Sequence, residues 1–176
     1  MTVTSYLFEA YIKCPTKCFL WAVGETAAGN AYADWVRTQN ASYRSEESRR
    51  LTQGARSDEC VIGPRAAGNL KTAKWSLAID LTVRTDRLES TIHAVERVAS
   101  KGRVEPTQFI PIRFIYTDKV TRDDRLLLAF DALVLSETLG REVGLGKIIH
   151  GDKSVTLEVK TAALASQARK LTEKMT

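Results

Sequence analysis

The sequence predicts an α/β fold, a central mixed β-sheet flanked by helices, and three observations carry that prediction. Strand-like runs follow one another through the middle of the chain, over 75–83, 88–98 and 107–116. A Leu- and Ala-rich run over 123–139, closed by Gly140, reads as a helix, and two further strand-like runs and a helical segment complete the order. The 176 residues suit one compact domain, and a composition 44% apolar and 27% charged excludes disordered, collagenous and low-complexity chains.

Taken in order, 5–23 has Tyr6, Leu7, Ala10 and Tyr11 at helical spacing and is broken by Pro15, which predicts two short helices. Tyr32, Trp35, Val36 and Tyr43 lie among many charged residues between Gly29 and Gly54, the pattern of a long, solvated surface helix. A short strand and a Gly/Pro loop over 60–69 lead into the first strand-like run, and Arg84 to Arg87 make the hairpin turn to the second. In the third, Ile110, Ile112, Phe114 and Tyr116 alternate with Phe109, Pro111, Arg113 and Ile115, so one side is expected to face the core. Thr121 and Asp124 form a capping box for the helix over 123–139. Strands over 146–150 and 154–160 flank Gly151-Asp152, and 162–174 is helical by composition. No apolar run reaches the roughly 18 residues of a membrane span, and Glu9, Lys13 and Lys17 interrupt the amino-terminal hydrophobics, so the expected location is cytoplasmic. Three Cys without an export signal argue for reduced thiols or metal ligation over disulfides.

Four places in this order resemble the RecB-like nucleases of the PD-(D/E)XK superfamily, including the CRISPR-associated iron-sulfur exonucleases. Tyr11 to Leu20 (YIKCPTKCFL) is similar to their Y-x-x-C-P-x-x-x-x-L opening, and 88–98 (LESTIHAVERV) to their second motif strand. IPIRFI over 110–115 with DRLLLAFDALVL over 124–135 resembles the strand and helix of the third motif, and Gly146 to Ile149 the G-x-I-x-Y strand. FEAYIKCPTKCFL, NAYADWVRTQN, LLLAFDALVL and GLGKIIHG also look like the amino-terminal part of bacterial RecB-like nucleases, some fused to helicase modules. The resemblance implies a restriction-endonuclease-like core over 1–176, lacking a carboxyl-terminal cysteine-containing tail.

In an intact site of that family an acidic residue and an E-x-K pair hold a divalent metal and orient a water. The resemblance places His93 at the Asp, Arg113 at the Glu, Ile115 at the Lys and Leu127 at the helix Gln, none of them the catalytic type. The domain is therefore expected to be catalytically inactive, with Mg or Mn relevant only to an active nuclease built on substituted acids such as Asp80 or Glu158. Glu158-Val159-Lys160 spells E-x-K, but after the long helix, with Val155, Leu157 and Val159 expected to face the core and Glu158 with Lys160 to form a solvent-facing ion pair. His93 and Glu96 are too poorly placed on one strand to share a metal, and His150 reads as a turn residue.

Cys14 matches the amino-terminal cluster ligand of the resembling exonucleases, but Cys18 and Cys60 are not at family positions and three thiols cannot complete a Cys₄ site, so no iron-sulfur cluster is expected in this chain. Cys14 and Cys18 read as small buried hydrophobes. A net charge of +5, with Arg113, Lys119, Arg122 and Arg125 near the former site and Arg84, Arg87 and Arg97 on neighbouring strands, fits sequence-independent contact with DNA phosphates. Asp118, Asp123 and Asp124 oppose this charge, and exposed aromatics for base stacking are not expected. The implied setting is DNA repair, recombination or defence, with DNA and a helicase or other nucleic-acid-processing module as partners; the alternatives are an active exonuclease and a protein-interaction domain.

Overall fold

A computed structural model describes residues 2–25, 29–63, 69–100 and 106–175. The helices α1 (Ser5–Lys13) and α2 (Pro15–Ala22) are separated at Cys14, whose extended backbone ends the first as Pro15 begins the second. A two-residue strand β1 (Val3–Thr4) precedes them, and α3 (Ala31–Gly54) follows. The strands β2 (Cys60–Ile62), β3 (Leu77–Arg84), β4 (Leu88–Val98) and β5 (Gln108–Ile115) lead to α4 (Arg122–Leu139), then β6 (Gly146–His150), β7 (Val155–Val159) and α5 (Ala162–Met175).

The sheet runs β2-β3-β4-β5-β6-β7, with β1 beside β4 off this path. The pairs β3–β4, β4–β5 and β6–β7 are antiparallel, whereas β2–β3, β5–β6 and β1–β4 are parallel, so the sheet is mixed as the sequence predicts. The chain crosses from β5 to its parallel neighbour β6 through α4, the helical crossover such a pair requires.

The α4 helix is the spine of the core. Thr121 caps it by accepting from the Asp124 N–H while Asp124 Oδ2 accepts from the Thr121 N–H, and Gly140 closes it in the left-handed region at φ 68°. Its apolar residues bury against Phe8 of α1, Leu81, Val83, Ile92 and Val95 of the sheet, and Ala168 of α5. On the opposite face Leu77, Ile79, Ala94, Ile112, Phe114 and Ile149 pack against Tyr43 and Leu51 of α3. Both faces of β5 are thus buried, where alternation had suggested a single core side. At the β7 edge Val155 is 51% exposed, so of the three residues expected to face inward there, Val159 alone is fully buried.

Candidate functional site

Two of the positions singled out in the sequence, His93 on β4 and Arg113 on β5, lie on neighbouring strands of the sheet. Arg113 is on the α4 side of β5, and its Nε and Nη2 donate to Asp131 Oδ2 and Oδ1 at 2.5 and 2.9 Å. Ser90 Oγ of β4 donates to the same Oδ1 at 2.5 Å. Arg113 is 7% exposed and Asp131 0%. Burial, the largest influence, disfavours the charged guanidinium, but Asp131 and the weaker fields of Glu9 and Asp124 together leave its pKa raised. The donor set does not suit a divalent cation: a guanidinium stands at the expected ligand position, and both oxygens of the adjacent carboxylate are already engaged by Arg113 and Ser90. Among the described residues no three His, Cys, Asp or Glu side chains converge as metal ligands.

His93 has a different structural task. Its Nδ1 accepts the N–H of Phe114 at 3.0 Å, taking the place of a strand carbonyl where the β4–β5 ladder ends at Ala94↔Ile112. Burial, then the charges of Arg113 and Arg44, holds its pKa well below 6.5, so the ring is neutral. Across from it on β3, Asp80 has φ 55°, and the register passes from Ile79↔Ala94 to Leu81↔Ile92 without a pair between Asp80 and His93. Both strands change face there: Ile79 and Ala94 join the α3-side cluster, Leu81 and Ile92 the α4 side. Arg44 of α3 donates to Asp80 Oδ1 from Nε and Nη2 at 3.0 and 2.5 Å, which neutralises the acid beside His93.

The remaining candidates are dispersed. Ile115 lies in an apolar cluster with Leu128, Ile148 and Val159, and Leu127 is buried in the α4 core. Glu158 and Lys160 are exposed at the β7 edge, with no ion pair between them among the described residues. Lys147, the cross-strand neighbour of Glu158, reaches Glu96 at 2.5 Å. His150 is the last residue of β6 rather than a turn residue, and its buried Nδ1 has no hydrogen-bond partner among the described residues. Cys18 is buried, but Cys14 is exposed, contrary to the expected pair of small core residues.

Lys119, Arg122 and Arg125 are exposed around the amino end of α4, whereas Arg113, expected at a phosphate with them, is committed to Asp131. Arg97 lies across from Phe109, at the opposite end of β5 from Arg113. Exposed aromatics, not expected from the sequence, are present: Phe19 is 65% and Tyr32 72% exposed, with Tyr6 and Trp35 also at the surface. Tyr6 stacks on Trp21 at 4.2 Å, Lys17 lies over the Trp21 ring, and Trp35 meets Tyr32 at 6.0 Å and Tyr116 at 6.4 Å. The α2 helix buries Cys18, as expected, and leaves Phe19 and Leu20 exposed.

Fold and site define an α/β protein with a mixed sheet between helical layers and a buried Arg–Asp–Ser constellation at its centre. No family model matches the chain, and no curated protein does. Among solved structures it is similar to the crystal structure of SSO0001, at 9% identity and a TM-score of 0.43, over 99% of this chain and 76% of that one.

Proposed function

We propose that the chain is a RecB-like, PD-(D/E)XK-type domain whose former metal site is now part of the core, and that it holds DNA phosphates without hydrolysing them. The carrying observation is the buried Arg113–Asp131 pair, which occupies the position where the resemblance puts a metal-binding carboxylate. An antiparallel β3-β4-β5 meander followed by α4 and a parallel β6 supports the same reading. DNA contact rests on Lys119, Arg122 and Arg125 with the Trp35 and Tyr116 rings on the same protein; Arg113 has no part in it. In such a role the domain would serve a helicase or another nucleic-acid-processing module in repair, recombination or defence.

The test combines two measurements on the purified chain. Single- and double-stranded DNA should remain uncleaved in Mg²⁺ and in Mn²⁺, and cleavage that disappears on Asp80→Ala or Glu158→Ala would establish an active nuclease instead. In a fluorescence-anisotropy titration, the triple variant Lys119→Gln/Arg122→Gln/Arg125→Gln should flatten log K against log salt by about 2–3 units on duplex DNA, given about 0.9 per phosphate contact. No binding at low salt would leave the protein-interaction reading, which the exposed Phe19, Val23 and Tyr32 favour.

A further inference from the structure

At the opposite end of β5 from Arg113, a cleft of about 270 Å³ is lined by Leu70, Phe109 and Leu139 together with Lys71, Arg97 and Arg141. From these residues we infer that the cleft is a binding site for a dianionic phosphate group, a phosphate monoester or a pyrophosphate. It is distinct from the surface at the amino end of α4 and does not depend on the DNA reading.

Three elements bring the cations together. Lys71 comes from the 3-10 turn Leu70–Thr72, Arg97 from the end of β4, directly across from Phe109 in the ladder, and Arg141 from the segment just beyond the Gly140 cap. Arg141 is held in place: its Nη2 donates to the Thr107 carbonyl and its guanidinium lies 5.7 Å from the Phe109 ring centre. Several arginines elsewhere in the molecule are matched by acids, as Arg44 is by Asp80 and Arg113 by Asp131. Among the described residues no ion pair engages Lys71, Arg97 or Arg141.

The carbonyl end of α4 opposes an anion here, with roughly half a negative charge. Three full positive charges outweigh it. Two guanidinium forks and one ammonium match the oxygens of a phosphate group, for which arginine supplies paired donors and lysine a point charge. At about 30 Å³ per water, the cleft exchanges several solvent molecules for the anion.

Isothermal titration of the full chain with sodium pyrophosphate at low ionic strength is expected to show saturable binding at one site, with sodium chloride of equal ionic strength as control. Lys71→Gln and Arg97→Gln should each weaken it about tenfold or more, while Lys119→Gln should bind like wild type. Lys71 is exposed, so if Arg97→Gln fails to fold by circular dichroism, Lys71→Gln decides the matter. A 5′-phosphorylated oligonucleotide that displaces pyrophosphate, when its unphosphorylated twin does not, would identify the anion as a nucleic-acid end; displacement by neither would identify a small phosphate compound, and both support the site. Absence of saturable heat, or wild-type affinity in the folded variants, overturns it.

Discussion

Arg113 and Asp131 were removed from water together, and the stability of each depends on the other. A buried ion pair adds little net stability over an apolar pair of similar size, but deleting one partner leaves an uncompensated charge in the core. Asp131→Asn is expected to destabilise the fold by about 3–5 kcal/mol, read as a lowered urea midpoint. The double variant Arg113→Met/Asp131→Leu should recover much of that loss, because neither charge is then stranded. An Asp131→Asn protein as stable as wild type would mean that Arg113 finds water or another acid. This pairing was not legible in the sequence: 18 residues and two element types separate Arg113 from Asp131, and no local period links them. What could be read was that a guanidinium stands where the resemblance expects a carboxylate.

Among the elements, the turn between β6 and β7 is the most tightly specified. Gly151 has φ 72°, and a Cβ there would come within 2.4 Å of Asp118 Oδ1 and 3.3 Å of Asp118 Cα. The same turn is tied to α3, since Tyr43 Oη donates to the Gly151 carbonyl at 3.0 Å and Ser154 Oγ to Glu47 Oε1 at 2.5 Å. Gly151→Ala should therefore cost about 1–3 kcal/mol, through backbone strain and the displaced Asp118 loop. Thermal unfolding of the purified variant measures this, and an unchanged midpoint would show that the turn relaxes freely. Helices and strands with a clear period were legible in advance: β4, β6 and α4 fall within a residue of their sequence readings. The two residues of β1 are too few to show a period. The face change at Asp80 and His93 was hidden for a related reason, since strict alternation assumes that no residue interrupts the pleat.

At the scale of the whole molecule, stability should depend on the proton that His93 does not take up. In the unfolded chain this imidazole gains its proton as pH falls through about 6.5, whereas the folded protein keeps it neutral well below that value. The unfolded state then binds more protons, so the stabilising contribution is present above about pH 6.5 and is lost as pH falls toward the folded pKa, by at most about 1.4 kcal/mol per pH unit. His93→Asn, which keeps an acceptor for the Phe114 N–H, should show a shallower loss than wild type in urea titrations between pH 7 and pH 5. Parallel profiles would mean that His93 is protonated in the fold. The Arg113–Asp131 contact has a further consequence for how the sequence can change. A single change that placed a carboxylate at position 113 would set it against Asp131, and one that changed Asp131 first would strand the guanidinium, so either order of single substitutions crosses a poorly folded intermediate. Selection for a stable fold therefore acts as a ratchet that holds the arginine and its acid together.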